Sequence, residues 1–476
     1  MTGNRQTVTM DNRHLPDIQF DPQLVARYDK PGPRYTSYPT APHFDVDFTP
    51  NDLAAQARLG NDEPIPRPMS IYVHVPFCWS PCFYCGCNRV ITRDVSKAEA
   101  YLLRLVREVE MTAPMFDRDR EVRQLHFGGG TPNFLRPDQI AEFVGVLGRH
   151  FNLSRAADRD FSIELDPRFI QPDEVHALAD IGFNRVSLGV QDFDLDVQKA
   201  INRVQPVEQT LRIIDAARNA GMRSINVDLI YGLPKQNLEG CGHTLDTMIE
   251  ELPSRLAVYS YAHMPQLFRA QRQIKDEDLC PAHTKLALLA LAVEKLGAAG
   301  YRYVGMDHFA LPEDELCQAL DSGSLHRNFM GYTTHADCEL LGLGVSAISQ
   351  IGDSFSQNHR DLGVYQEQID EGRLPLWRGL KLSDDDLLRA AVIQDLMCRG
   401  EIDVASVESR FDIDFSAYFA GALAALQPLA DDGLVEVDAR HIRATARGRL
   451  LLRVIAACFD VYLGLSQEQP RYSKAV

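Results

Sequence analysis

Four of the chain's ten cysteines lie within one short stretch, which reads F-C-W-S-P-C-F-Y-C-G-C-N. They are Cys78, Cys82, Cys85 and Cys87. Three thiolates spaced four and three residues apart can hold three corners of a four-iron, four-sulfur cluster within a single loop. Because such a cluster has four corners, its fourth iron stays open to another ligand. The spacing therefore predicts an iron–sulfur centre with a free coordination position.

Other uses of clustered cysteines fit less well. Nothing in the chain looks secreted, and reducing compartments keep thiols free, which disfavours a disulfide. No second Cys-x-x-Cys or His-x-x-x-His completes a structural zinc site. Two-cluster ferredoxins use a different cysteine interval. The remaining cysteines stand singly, as buried thiols usually do; they are Cys241, Cys280, Cys317, Cys338, Cys398 and Cys458.

The composition is that of an ordinary globular protein. The chain has 476 residues, of which 45% are apolar and 24% charged, a length that suggests two or three domains. The first residues contain no apolar targeting segment, so we expect a cytoplasmic protein without membrane insertion. A net charge of -17 disfavours a general nucleic-acid surface.

Short β-like runs alternate with helical text over the first half of the chain. The runs rich in β-branched or aromatic residues are Ile71–Pro76, Gln124–Phe127, Phe161–Leu165, Arg185–Val190, Ser224–Ile230 and Leu256–Tyr261. The stretches with helical spacing are Lys97–Thr112, Pro137–His150, Gln171–Ile181, Val207–Ala220 and Leu238–Glu251. This alternation predicts an α/β fold with six parallel strands. In a barrel-like arrangement, the chemistry gathers at the carboxyl ends of the strands.

Polar motifs follow several of these strands. The cysteine stretch follows the first, and the G-G-G-T-P motif at 128–132 follows the second. Three glycines let the backbone approach a ligand closely and leave N–H groups available to a carboxylate, although a tight turn alone would also explain them. Glu164 ends the third strand on the face opposite Ile163 and Leu165, where its carboxylate can bind hydroxyl or amino groups or form an ion pair.

Gln191 ends the fourth strand, Arg203 lies beyond it, and Asp228 lies in the fifth. Each of these residues alone is more often structural than catalytic. Their predicted convergence on one rim with the cysteines makes a shared site the better interpretation.

At this point the sequence resembles a known family. The three spaced cysteines and the GGGTP loop are typical of radical S-adenosylmethionine enzymes. The segments P-G-P-R-Y-T-S-Y-P-T, Y-V-H-V-P-F-C, L-H-F-G-G-G-T-P, G-F-N-R-V-S-L-G-V-Q-D-F, D-L-I-Y-G-L-P, G-M-D-H-F-A and G-Y-T-T narrow the resemblance to oxygen-independent coproporphyrinogen III oxidases. It extends from about residue 28 into the C-terminal region.

The resemblance implies a partial (β/α)6 TIM-like barrel of the radical SAM type and a reaction. A reduced 4Fe-4S cluster cleaves S-adenosylmethionine (SAM), and the 5′-deoxyadenosyl radical removes a hydrogen from a propionate β-carbon. Loss of CO₂ and one electron leaves a vinyl group. Two propionates of coproporphyrinogen III react, giving protoporphyrinogen IX in heme biosynthesis. The protein supplies position and shielding. A flavodoxin- or ferredoxin-type electron donor and a monomeric chain are also implied.

The resemblance also implies the site residues. Cys78, Cys82 and Cys85 bind the cluster, whereas Cys87 does not. Two SAM molecules are expected. Tyr72, Gly129, Glu164 and Ile348 contact the first. Tyr84, Gly130, Thr131, Gln191, Arg203, Asp228 and Ala262 contact the second.

Two positions depart from the family pattern. Tyr84 stands where phenylalanine is expected, which keeps an aromatic face. Met330 stands after Phe329 where glutamine is more usual, and methionine cannot donate the hydrogen bonds of an amide. Contacts from Met330 to substrate or cosubstrate are therefore expected to differ.

The substrate's four carboxylates need local cations, because burying uncompensated charge is costly. Arg34, His308, His326 and Arg327 are the candidates, although each alone is more often a surface or structural ion.

The chain is expected to divide into an N-terminal arm at 1–55, the barrel with its extension at 56–380 and a mostly helical, winged-helix-like domain at 381–476. Ser383 is a plausible helix N-cap, and 434–437 with 442–444 can form a hairpin. By analogy, this last domain is expected to act as a lid over the site rather than to bind nucleic acid.

Three alternatives stay open. A heme-binding or heme-chaperone relative shares the barrel and cysteines, but the N-terminal block, Cys87 and the G-Y-T-T motif favour the oxidase. A heme-degrading radical enzyme would consume heme. A plain electron-transfer protein would need no glycine rim and would not cleave SAM.

Overall fold

A parallel sheet forms the centre of the molecule. The computed structural model describes residues 18–464 and 472–474. Six strands, called here barrel strands one to six, pair in parallel in chain order. They are Met69–Val75, Glu121–Gly129, Asp160–Leu165, Arg185–Gln191, Ser224–Tyr231 and Arg255–Ser260. The predicted six strands are confirmed, with ends that differ by at most three residues.

Helices connect the barrel strands and cover one face of the sheet. They are Ser96–Thr112, Pro137–His150, Pro172–Ile181, Val207–Asn219 and Leu238–Glu251, with Ala282–Ala298 after the sixth strand. Each of the first five strands therefore leads through a helix to the next parallel strand, as in a βαβ unit. The shorter helix Leu195–Ala200 lies in the connection after strand four. All five predicted helices are present within two residues of their predicted ends.

Strand burial follows from the sequence alternation. Ile163 and Leu165 are buried in the apolar core, whereas Glu164 between them is only half-buried and points to the other face. That other face is unusually polar for a barrel interior, which large apolar side chains normally fill. Polar side chains of neighbouring strands thus line a lumen, and the carboxyl ends of the strands form its mouth.

The sheet is an open, partial barrel, because its two edges continue into other segments. Strand six pairs with His308–Ala310, which pairs with Arg302–Gly305. Strand one pairs in parallel with Glu339–Leu343, and the sheet then continues antiparallel through Ile348–Ile351, Ser354–Asn358 and Leu376–Lys381. A separate hairpin, His326–Asn328 with Gly331–Thr333, lies between these extensions. Helices Glu315–Ser322 and Leu362–Asp370 pack beside them.

The N-terminal residues run along the outside of the barrel. Helices Pro22–Tyr28 and Pro50–Asn61 belong to this segment, and Asp45 pairs through its backbone with Gly379. Arg27 and Tyr28 both donate hydrogen bonds to Asp432 at the far end of the chain. The arm is therefore joined to both the extended sheet and the C-terminal region.

The C-terminal region contains helices and a small antiparallel sheet. The helices are Asp384–Arg399, Val404–Phe411, Phe415–Tyr418, Ala420–Asp431 and Leu452–Ala457. Ser383 caps the first of them in a capping box with Asp386. The predicted hairpin is Val435–Val437 with His441–Ala444, and Glu401–Asp403 adds a third strand. Buried side chains of this region and of the barrel form one continuous apolar core.

No helix among residues 18–464 and 472–474 combines the length and apolarity needed to cross a membrane.

Candidate functional site

The cysteine loop, residues 78–87, lies at the mouth of the barrel directly after strand one. All four of its cysteines border one cavity of about 240 Å³. Cys78 and Cys82 are buried, Cys85 is half-buried and Cys87 is exposed. Backbone bonds hold the loop in place: the Phe83 N–H donates to the Ile201 carbonyl at 2.9 Å, and the Asn202 side chain donates to the Pro81 carbonyl at 2.7 Å.

Hydrogen-bond donors surround the cysteine sulfurs. The Thr131 hydroxyl donates to Cys78 Sγ at 3.3 Å, and the Cys87 N–H donates to Cys85 Sγ at 3.4 Å. The guanidinium groups of Arg168 and Arg203 each approach Cys82 Sγ to 3.6 Å. Donors and positive charge stabilise thiolates and tune the potential of a cluster bound by them. The three predicted ligands thus fit a 4Fe-4S cluster in their chemistry and surroundings.

The thiol pKa values differ along the loop. A hydrogen bond with Cys87 lowers the pKa of Cys85 to about 6. Burial acts in the opposite direction and raises this pKa, whereas the nearby charge of Arg89 lowers it further. Burial raises the pKa of Cys78 to about 11, opposed by the Thr131 hydrogen bond. Arg89 also donates to the carbonyls of Cys82 and Cys85, which ties the loop to a cation.

The glycine motif at 128–132 is packed against the end of strand one. The Gly130 N–H donates to the Val75 carbonyl at 2.8 Å, and the Gly129 N–H donates to the Glu164 carboxylate at 3.1 Å. A Cβ on Gly130 would lie 2.7 Å from the Pro76 carbonyl, so only glycine fits. The expectation that these N–H groups stay free for a ligand carboxylate is wrong at both positions, because the protein already uses them. These two N–H groups therefore hold the motif beside the cysteine loop.

Glu164 projects into the lumen as predicted. Besides the Gly129 N–H, it contacts His126 Nε2 at 3.2 Å, and the His126 ring stacks on Tyr72 with centroids 5.8 Å apart. Burial alone would raise the pKa of Glu164, but the hydrogen bond from His126 and the Gly129 N–H outweigh it and lower the pKa. A carboxylate that stays ionised in a polar pocket can bind an ammonium group or ribose hydroxyls.

Arg203 crosses the site between strands three and four. Its guanidinium donates to Asp166 at 3.0 Å and to the Gly189 carbonyl at 2.5 Å. Arg168 also binds Asp166, at 2.7 Å. Burial pushes the pKa of Asp166 up, but the two arginines outweigh burial and lower it. The two cations share one carboxylate here, and both also approach the Cys82 sulfur.

Asp228 lies deeper in the lumen. It accepts hydrogen bonds from Asn226 at 2.9 Å and Ser187 at 3.2 Å. Burial, together with the nearby charge of Glu164, raises the pKa of Asp228 to about 6. Its environment therefore differs from that of Glu164, although both carboxylates border the same cavity.

A second cavity of about 160 Å³ continues from the first into the lumen. Glu164, Ser187, Asp228 and Tyr259 border both. The second cavity extends to His308 and to Met330, the residue that departs from the family pattern. The departure thus borders the site.

The structure brings most of the predicted SAM contacts to the first cavity. Those that line it are Tyr84, Gly129, Gly130, Thr131, Glu164, Gln191, Arg203 and Asp228. Tyr72, Ala262 and Ile348 do not line it. Tyr72 packs behind Glu164 on His126, and the Ala262 carbonyl accepts a hydrogen bond from Gln271. Ile348 lies beside Gly342, which pairs with Tyr72 across the parallel strands.

Sequence reasoning missed Asp166, Arg168 and Tyr259 as site residues. Asp166 and Arg168 belong to the E-L-D-P-R segment that follows strand three, and this position at a strand end was the available signal. Tyr259 lies in strand six, where an aromatic side chain gives no functional signal.

The predicted propionate cations differ in their surroundings. Arg34 forms an ion pair with Asp307. Burial lowers the pKa of His308 to about 4, helped by Arg327, and burial lowers the pKa of His326 to about 4. Both histidines are therefore neutral at pH 7. Arg327 is 5% exposed and, within the described residues, has no carboxylate partner.

Comparison with known proteins gives consistent matches. Residues 72–248 match the radical SAM superfamily and residues 382–451 match the HemN C-terminal domain. A Pseudomonas aeruginosa protein named oxygen-independent coproporphyrinogen III oxidase is 49% identical over 97% of this chain and 100% of its own length. The protein of the same name from Escherichia coli is 47% identical over 96% of this chain and 99% of its own.

A solved structure agrees with these matches. The coproporphyrinogen III oxidase HemN from Escherichia coli, described as a radical SAM enzyme, superposes with a TM-score of 0.88 at 46% identity. The superposition covers 94% of this chain and 100% of that one.

Proposed function

The chain belongs to the oxygen-independent coproporphyrinogen III oxidase family, and from this membership we propose how the residues of its barrel mouth carry out that reaction. The chain is a radical SAM oxidoreductase with a 4Fe-4S cluster. It converts propionate side chains of coproporphyrinogen III to vinyl groups. The observation that carries the residue assignment is the cavity at the barrel mouth, which the cysteine loop, the glycine motif and the strand-end polar side chains all border.

Cys78, Cys82 and Cys85 hold the cluster in this proposal, and Cys87 orients Cys85 through its N–H. When bound, the reduced cluster and SAM supply a 5′-deoxyadenosyl radical that removes a hydrogen from a propionate β-carbon. Arg168 and Arg203 offset the negative charge of the sulfurs.

Two SAM molecules bind, in our proposal. Tyr72, Gly129, Glu164 and Ile348 serve the first, and Tyr84, Gly130, Thr131, Gln191, Arg203, Asp228 and Ala262 serve the second. Glu164 takes the amino group or ribose of the first molecule, for which its lowered pKa suits it. The Arg203 guanidinium takes the carboxylate of the second. Equilibrium dialysis with cluster-loaded protein checks this stoichiometry. We expect two SAM molecules bound per chain; a single bound molecule would contradict the residues assigned to the second.

The domain limits and partners are also proposals. We place the arm at 1–55, the barrel with its extension at 56–380 and the C-terminal domain at 381–476. A flavodoxin- or ferredoxin-type donor reduces the cluster, the chain acts as a monomer, and it works in the cytoplasm. Size-exclusion chromatography with light scattering tests the oligomeric state.

Product analysis tests the function. The cluster is reconstituted anaerobically, and SAM, reductant and coproporphyrinogen III are added. Loss of two CO₂ units from the porphyrinogen, with 5′-deoxyadenosine formed, is expected. Cys82→Ala should abolish both products, whereas Cys241→Ala, a buried thiol in the helix Leu238–Glu251, should retain them. SAM cleavage without decarboxylation, or heme binding alone, would contradict the proposed function.

A further inference from the structure

Three arginines meet where the N-terminal arm, the 326–333 hairpin and the C-terminal region come together. Arg34 belongs to the arm, Arg327 to the hairpin and Arg453 to the helix Leu452–Ala457. We call this group the arginine seam. Arg327 is 5% exposed and Arg453 is 4% exposed, so both guanidinium groups are withdrawn from water.

The seam holds more positive than negative charge. Arg34 pairs with Asp307, whose side chain is itself largely buried. Within the described residues, no ion pair joins Arg327 or Arg453 to a carboxylate. Arg453 Nη2 and the Gly32 N–H of the arm both donate to the Ser473 carbonyl, which places Arg453 beside the segment that carries Arg34.

Donor groups in the seam lack acceptors. Arg327 Nη1 and Arg453 Nε are buried without a hydrogen-bond partner among the described residues. Arg453 Nη2 donates to the Ser473 carbonyl at 2.7 Å, and Arg327 Nε donates to the Arg34 carbonyl at 3.4 Å. Two neutral carbonyls do not neutralise two buried cations.

Packing alone does not explain Arg327. Its guanidinium lies over the Tyr332 ring, 4.7 Å from the centroid. A single cation–π contact offsets only a small part of the cost of burying an unpaired charge. A methionine or leucine would fill the same space without that cost. Arg327 is therefore a buried cation whose counter-charge the described residues do not supply.

The seam adjoins the barrel lumen. Tyr332 and His308 line the second cavity, and the Tyr332 ring separates Arg327 from it. Tyr259, which lines both cavities, contacts Arg34 at 5.7 Å. The neutral His308 packs against Tyr332 with ring centroids 5.4 Å apart and adds no negative charge. Tyr332 and Tyr259 thus lie between the lumen and the arginines.

We propose that Arg327, with Arg34 and Arg453 beside it, binds a substrate carboxylate that does not react, and so positions the reacting propionate in the lumen. This inference rests on the proposed function, because it takes coproporphyrinogen III as the ligand. Arginine suits the task since its planar fork binds a carboxylate through two parallel hydrogen bonds. Asp307, which pairs with Arg34, releases part of that guanidinium to the carboxylate. Arg327 is thus a specificity residue for a tetracarboxylate.

The test uses cluster-loaded Arg327→Met and air-stable coproporphyrin III, whose fluorescence reports binding. Relative to the unsubstituted chain, we expect at least tenfold weaker binding of this tetracarboxylate. The same substitution should weaken the binding of a porphyrin with two propionates and two ethyl groups by a smaller factor. KM for coproporphyrinogen III should rise more than kcat falls, and SAM binding should be unchanged.

A stability measurement separates this role from a structural one. Removal of a buried, unpaired cation should leave the melting temperature unchanged or raise it. A lower melting temperature together with weaker SAM binding would show that Arg327 only supports the fold and would overturn the proposal. Arg107→Met, at a surface arginine paired with Asp370, is the matched control and should change neither quantity.

Two further results keep the test decisive. If Arg327→Met does not fold, Arg327→Lys replaces it, since lysine keeps the charge but loses the fork; unchanged coproporphyrin affinity in that variant would overturn the proposal. If the unsubstituted chain neither binds nor converts the porphyrin, the proposed function fails. If it does both and Arg327→Met matches it, only the seam proposal fails.

Discussion

Two carboxylates in one cavity differ because of their neighbours. Glu164 has a histidine and a backbone N–H, which keep it ionised, while Asp228 has an amide and a hydroxyl and a pKa near 6. Similar side chains thus acquire different chemistry within one barrel mouth. In our proposal, this difference separates the two SAM positions.

Glu164→Gln tests the charge at the first position. Glutamine keeps the size but removes a charge-assisted hydrogen bond, which is worth roughly 1.5–3 kcal/mol. We therefore expect SAM to bind about 10- to 150-fold more weakly, by the relation of affinity to free energy. Isothermal titration with cluster-loaded protein measures it. Glu110→Gln, on the exposed face of the helix Ser96–Thr112, is the control. Equal affinity in both variants would remove Glu164 from the site.

Asp228→Asn tests the raised pKa. The folded pKa of Asp228, about 6, exceeds the ordinary value of 3.8, so ionisation of this group costs stability above pH 6 and costs little below pH 4. The variant should therefore be more stable than the unsubstituted chain at pH 8, and the difference should shrink as the pH falls toward 5. Urea unfolding at several pH values measures it. A difference that grows toward acid pH would have the wrong sign.

At the scale of elements, the glycine motif positions the cysteine loop. The N–H groups at 129–131 are bonded to Glu164 and to the end of strand one, so the motif joins the first three strands. Motif and loop therefore act as one unit.

Gly130→Ala tests this packing. The added Cβ would lie 2.7 Å from the Pro76 carbonyl, so the backbone must shift at a cost of about 1–3 kcal/mol. We expect a lower melting temperature and less iron bound per chain. Gly145→Ala, inside the helix Pro137–His150 with nothing closer than 3.9 Å, should instead gain about 0.5–1 kcal/mol. Equal iron content and stability in both variants would contradict the packing argument.

Local sequence pattern predicted the elements that depend on near neighbours. The β-branched runs, the helical spacing and the Ser383 cap each reflect forces within a few residues. The pattern did not predict Glu339–Leu343 beside strand one, because that pairing depends on residues far apart in sequence. The contacts of Asp166 with Arg168 and Arg203 were not predicted for the same reason. The expectation of free glycine N–H groups was wrong because Glu164 approaches Gly129 from another strand.

At the scale of the whole molecule, the C-terminal region is part of the same core as the barrel. Tyr332 donates to the Met397 carbonyl at 2.9 Å, and Gln394 contacts His326 at 2.8 Å. A freely hinged lid would lack such buried contacts. The arginine seam gives this junction a function, because it lies where the arm, hairpin and C-terminal region meet.

Leu396→Ala tests the shared core. This side chain is fully buried in the helix Asp384–Arg399, and its truncation should cost about 2–5 kcal/mol. Cluster absorbance reports the barrel, and helicity reports the helices. The midpoint temperatures at which the two signals are lost should fall together. Leu103→Ala, at a side chain 69% exposed, should shift neither. Loss of helicity in a separate, earlier step with the cluster intact would indicate an independent domain.

The central claim is hydrogen removal from substrate propionates at the barrel mouth. The most direct measurement uses coproporphyrinogen III deuterated at the propionate β-carbons, incubated anaerobically with cluster-loaded protein, SAM and reductant. Mass analysis should find deuterium in the 5′-deoxyadenosine and two vinyl groups in the porphyrin. Unlabelled 5′-deoxyadenosine accompanying vinyl product, or labelled substrate returned unchanged while SAM is cleaved, would contradict the account.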